Sequence, residues 1–216
     1  MIGLFKKKKR DSDWINSYPV YDAPHVGVGR TLSELQAREN LDYLLTNKSV
    51  RIDALSTVLQ TFNIDLVAGF ANESPGELIS QLYNWSEEHW ATYGSKEHTR
   101  QDWLKSSRRG GGLIYSVAMD TAIVLGDLLI QYRPSYSWGV DLDSENLTMA
   151  SFRRCVVMAP MLTHDHMAIA DVEQAVAERF FDANKPHWRW ENQWQRMLDG
   201  YLSGAHEGAS NDEIGD

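Results

Sequence analysis

The stretch "LIYSVAMDTAIVLGDLLIQY", residues 113–132, decides the fold. Leu113, Val117, Thr121, Val124 and Leu128 recur at helical spacing, and Ile114, Ala118, Ala122, Leu125 and Leu129 broaden the same apolar face. This breadth marks a helix placed in a core rather than on its edge. Gly126 costs helix stability and is expected where a neighbour packs closely. Asp120 and Asp127 are seven residues apart and share a face. Paired carboxylates can divide acid and base work when their surroundings separate their pKa values. Nothing adjacent supplies such surroundings, so they read as helix-surface aspartates.

Upstream, the sequence predicts more helices. Thr31 with Glu34 and Ser33 with Gln36 both have capping-box spacing. From there Leu32, Leu35, Leu41, Leu44 and Leu45 form an apolar stripe to about residue 46. A break at "TNKS" then separates a second helix with Val50, Ala54, Leu55, Val58, Leu59 and Phe62 inward, giving an antiparallel helical pair. "NIDLVAGFANESPGE" is a connection with a short turn of helix. Ser74, Pro75 and Glu77 then open a helix carrying Leu78, Leu82, Trp85, His89 and Trp90. Gly110, Gly111 and Gly112 lack the spacing of a phosphate-binding loop and read as a left-handed or flexible junction.

Downstream the pattern changes. "SYSWGVDLD" and "SFRRCVVMA" are expected as two strands joined across "SENLTMA", followed by helices over roughly 165–182 and 190–203. The fold class is therefore α+β: a mainly helical single domain with a small antiparallel β hairpin near residues 136–159. Residues 1–30 form a basic terminus and an extended arm, 31–203 the globular domain, and 204–216 a flexible acidic tail.

The chain of 216 residues carries 21 basic and 30 acidic side chains, net −9. Lys6, Lys7, Lys8, Lys9 and Arg10 place +5 at the N-terminus, so the rest carries 16 basic against 30 acidic residues. Such a body repels phosphate backbones and suits a basic protein partner; nucleic acid is not expected. The Lys6–Arg10 run can touch an anionic membrane surface, but no stretch reaches the roughly 18 apolar residues of a transmembrane segment. Cys155 is the sole cysteine. It reads as a buried small hydrophobe in a reducing compartment, and a cytoplasmic location is expected.

Two groups of residues invite a functional reading. In "LTHDHM" (162–167), His164 and His166 have the alternation that lets two imidazoles reach one metal from an extended backbone, with Asp165 as a further ligand or orienter. Asp120 or Glu173 would then serve as base in a metal-dependent hydrolase. The same stretch also reads as a helix entrance, with Thr163 as cap and Asp165 in the first turn. In "HWRWENQW", Trp188, Trp190 and Trp194, surrounded by Arg189 and Glu191, either fill a core or anchor a partner protein. No GxSxG, HExxH, zinc-cysteine or dinucleotide pattern is present, and no cofactor is called for.

In overall character, with its acidic body, its helix-to-strand transition around "YRPSYSWGVDLD" and its lack of an enzyme motif, the chain resembles small bacterial immunity proteins associated with polymorphic toxins. That resemblance implies binding and blocking a cognate toxin rather than turnover. It matches no signature, so it assigns no residues. A protein-binding module is thus the leading expectation, with the metal-dependent hydrolase and a structural adaptor as alternatives.

Overall fold

The structure is a computed structural model and describes residues 13–90, 99–162, 166–181 and 192–206. It is mainly helical with one three-stranded antiparallel sheet, as the α+β reading expects. The helices are α1 (Asp13–Asn16), α2 (Glu34–Gln60), α3 (Leu66–Ala71), α4 (Gly76–His89), α5 (Arg100–Lys105), α6 (Ile114–Tyr132), α7 (Val172–Phe181) and α8 (Gln193–Leu202). The strands are β1 (Ser137–Val140), β2 (Cys155–Pro160) and β3 (Met167–Ala170), in the order β1-β2-β3.

Helix α6 is the core element. Its residues Ile114 to Gly126 are all buried, as are Leu128 and Leu129. Residues 110–132 are long and apolar enough to cross a membrane, yet 83% of that window is buried inside the fold. On one side the sheet lies against α6 through Trp138 and Val157. A Cβ at Gly126 would collide with Trp138 Cζ2 and come within 2.9 Å of Val157 Cγ2. The glycine thus sets the helix–sheet separation.

Helix α2 runs unbroken for 27 residues, where a break at "TNKS" and an antiparallel helical pair were expected. Thr46, Asn47, Lys48 and Ser49 include neither glycine nor proline, so each weakens a helix by only a few tenths of a kcal/mol. Packing overrides that cost. Asn47 Nδ2 donates to the Tyr43 carbonyl at 2.8 Å, and Lys48 Nζ reaches both carboxylate oxygens of Asp127 at 2.9 Å. Continuous winding also turns Leu35, Leu45 and Val50 outward, although they were expected inward. Of the two candidate caps, Ser33 with Gln36 forms the capping box.

The larger departure lies after β2. Residues 167–170, expected within a helix beginning near 165, form β3. Pairing explains the switch. Ala168 sits opposite Ala159 and Ala170 opposite Val157, which buries both alanines against the helices. Helix α7 starts only at Val172, where Asp171 accepts from the Gln174 amide at 3.0 Å. Of "LTHDHM", Thr163, His164 and Asp165 lie outside the described residues, and Met167, expected inside the helix, opens β3 instead.

The glycine triplet forms a 3-10 turn with Gly110 at φ +52°, which is the left-handed junction expected. The basic run at residues 6–10 lies outside the described residues, as do residues 207–216. The start of the tail turns back on the domain, where His206 stacks on Tyr201 at 4.2 Å.

Substituting Gly126→Ala should destabilise the protein by about 1–3 kcal/mol through overpacking. Urea denaturation would read this as a lower midpoint with an unchanged slope.

Candidate functional site

The two connections of the sheet meet at one end of the molecule. Asp141, fully buried, organises the first connection. Its oxygens accept from Ser151 Oγ at 2.7 Å, Asn146 Nδ2 at 3.2 Å and the Asp143 amide at 3.1 Å. Asp143 accepts in turn from the Glu145 amide at 2.9 Å, which closes the turn at Ser144–Asn146. Its other oxygen lies 3.2 Å from His166 Nδ1, joining the first connection to the second. The Glu145 amide, followed by the His166 contact, holds the Asp143 carboxyl below its ordinary range.

Large apolar side chains crowd these same connections. Of the nine that are exposed among the described residues, Leu147, Met149 and Leu162 lie here, and Met167 opens β3 next to them. Leu147, Met149 and Leu162 are each more than half exposed. Between this loop, β3, α7 and α8 runs an open groove of about 450 Å³, lined by Met149, Ile169, Met197 and Tyr201 with Glu178 and Arg100 at its rim. Arg100 Nη2 bonds Glu178 Oε1 at 3.1 Å.

Metal-ligand chemistry is present on the same loops. Ligand atoms of Asp143, Glu145 and His166 lie within 4.8 Å of one another. His166 therefore meets two carboxylates from the neighbouring connection. His164 and Asp165, the other two expected ligands, lie outside the described residues.

The expected bases are not available to this cluster. Asp120 is fully buried rather than on a helix surface. Arg51 clasps it through Nε at 2.9 Å and Nη2 at 2.6 Å, and Tyr18 Oη donates at 2.5 Å. Burial pushes the Asp120 carboxyl up to about 6, against the opposing pull of Arg51 and Tyr18. Arg51 also donates to the Pro19 and Val20 carbonyls, so the same guanidinium fastens the N-terminal arm.

Glu173 is likewise consumed by structure. One carboxylate oxygen accepts from Trp103 Nε1 at 2.9 Å and Arg108 Nη2 at 2.6 Å; the other accepts from Arg154 Nη2 at 2.6 Å. Desolvation works to raise its pKa, but the charges of Arg108 and Arg154 and the donors around it prevail and hold it at about 2. Arg154 bonds Asp171 at 2.9 Å and lies 4.2 Å over the Trp103 ring. Beside this network, burial first and Glu173 second push the Cys155 thiol up to about 12, which removes it as a nucleophile at neutral pH.

Trp194, expected at a partner surface, is fully buried instead. It packs edge-on to Tyr83 at 5.4 Å and against Trp90 at 5.8 Å. An indole on an amphipathic helix suits a core as well as a surface, and α4 supplies the covering aromatics Tyr83 and Trp90 beside it. Trp188, Arg189, Trp190 and Glu191 lie outside the described residues. Sequence reasoning missed Asp143, Glu145, Leu147 and Met149. The available signal was two large apolar side chains, Leu147 and Met149, inside the mostly polar "SENLTMA".

No family model, curated protein or solved structure matches this chain.

Glu173→Gln should destabilise the fold by about 3 kcal/mol at neutral pH, the equivalent of the pKa depression. The native-state carboxyl titrates near 2 and the unfolded one near 4.5. Stability from this charge is therefore complete above pH 4.5 and is lost as pH falls toward 2. Chemical denaturation of both proteins across that window should show their difference shrinking with acidification.

Proposed function

We propose that this chain is a protein-binding module that engages a basic partner, in the manner of an immunity protein neutralising a cognate toxin. The observation that carries the reading is the exposure of Leu147, Met149 and Leu162 on two connections that the Asp143–His166 contact holds together, with Met167 exposed at the start of β3 beside them. Apolar side chains supply the desolvated centre of an interface, while neighbouring carboxylates steer an oppositely charged partner. The acidic balance of the chain outside its N-terminal run favours the same sign of partner. Asp120, Glu173 and Cys155, the groups whose chemistry would favour turnover, are bound into the core or neutralised.

The test is affinity capture from the native cell, with the captured partner then purified and its affinity measured. Leu147→Asp with Met149→Asp should weaken binding at least ten-fold while leaving the melting temperature within a few degrees of wild type. In cells poisoned by that partner, the wild-type chain should restore growth and the double variant should not. Equal affinity for both proteins rejects this face, and partner activity unaffected by binding favours an adaptor over an immunity protein.

A second reading rests on the cluster of Asp143, Glu145 and His166. One imidazole and two carboxylates form a donor set for a divalent transition metal, which would shift the hydrolase expectation onto this set of ligands. Calorimetric titration with Zn²⁺ should then give one site per chain, abolished in His166→Ala. Identical heats for the two proteins would remove the metal reading.

A further inference from the structure

The ladder between β2 and β3 leaves one side of β3 facing the groove. The Met161 amide donates to the His166 carbonyl at 3.0 Å, which makes 161 and 166 a hydrogen-bonded pair. Antiparallel pairs alternate, so with Ala159 opposite Ala168 and Val157 opposite Ala170, those pairs also bond. The intervening pairs, Pro160 with Met167 and Met158 with Ile169, do not. Met167 and Ile169 therefore aim their amide and carbonyl groups away from β2. Tyr201 Oη donates to the Ile169 carbonyl at 2.6 Å, which confirms that direction. The Met167 amide, the Met167 carbonyl and the Ile169 amide meet no partner among the described residues.

An edge strand with open donors beside a groove of mixed polar and apolar lining is a template for another strand. Resting on the protein-binding reading above, we propose that the partner binds by adding an extended segment to the outer edge of β3, with alternating basic and apolar side chains. Met149, Ile169, Met197 and Tyr201 line the trough that the apolar side chains would enter. Among the described residues, the groove is lined by Glu178, paired with Arg100, and by Asp171, paired with Arg154, while Asp143 and Glu145 stand just before the wall that begins at Asn146 and leave carboxylates in excess of guanidinium groups. This imbalance selects a cationic segment. The period of two in a strand sends its apolar residues into the trough and its basic residues to the rim. At about 3.4 Å per residue, three or four partner residues span the edge.

The probe is a fluorescein-labelled peptide, Arg-Val-Arg-Val-Arg-Val, titrated against the full chain by anisotropy, with Glu-Val-Glu-Val-Glu-Val as its counterpart. The basic peptide should bind saturably and at least ten-fold more tightly than the acidic one. Met167→Pro removes an outward amide that takes no part in the ladder, so it should weaken the basic peptide at least ten-fold without unfolding the protein. In wild type, hydrogen exchange at the Met167 and Ile169 amides should slow when the peptide is bound, a measurement that needs no variant. Absence of saturable binding, equal affinity for the two peptides, or unchanged exchange at both amides overturns strand addition. If Met167→Pro still binds the captured native partner with wild-type affinity, strand addition fails and the protein-binding reading stands. That reading fails separately, through the Leu147 and Met149 variant.

Discussion

A carboxylate in the middle of the most apolar helix dictates much of the architecture. Asp120 is fully buried on α6, and a buried charge without a partner would cost several kcal/mol. Arg51 answers it from α2 with two donors, and Tyr18 answers from the N-terminal arm. Because Arg51 spends its other donors on the Pro19 and Val20 carbonyls, the arm becomes an obligatory part of the pair. The register of α2 against α6 follows. About one turn away along α2 and two along α6, Lys48 meets Asp127, whose Oδ1 also accepts from Trp138 Nε1 of β1 at 2.8 Å. Arm, long helix, core helix and sheet are thereby tied along one line of polar contacts.

A second polar centre forms where α7 begins. Glu173, at the first turn of α7, gathers donors from α5, from the loop after it and from the residue preceding β2. These segments are far apart in sequence, and each buries a group that needs a partner. Such networks specify one arrangement because every alternative leaves a charge unpaired. They also separate structure from function in this chain. The buried ionisable groups Asp120 and Glu173 are already saturated by neighbours, whereas a histidine, two loop carboxylates and four large apolar side chains lie at least partly open to solvent around the two connections.

The geometry of the sheet places that surface. Gly126 lets α6 approach Trp138 and Val157, which presses the inner face of the sheet onto the helices. The two connections are consequently pushed to one end, where Asp141 braces the first and His166 joins it to the second. With α8 closing over only the Ile169 carbonyl, the edge of β3 and its trough stay open among the described residues.

Local patterning by itself determined the buried helix at 113–132, the capping box at Ser33, the helix carrying Trp85, the left-handed glycine junction and the first two strands, because each depends on short-range periodicity or on backbone angles that few residues allow. It also marked Gly126 as a point of close packing. Tertiary structure decided the rest. The continuity of α2 through "TNKS" comes from Lys48 reaching Asp127, 79 residues away. The strand at Met167–Ala170 comes from pairing with β2, where two alanines of ordinary helical preference gain burial. Asp120 looked like a surface residue because Arg51 is 69 positions distant, and Trp194 resembled a binding anchor because its cover comes from Tyr83 and Trp90. His166 was legible as a candidate ligand, but the neighbouring Asp143 and Glu145 were not, since only the folding of two connections against each other brings their ligand atoms within 4.8 Å.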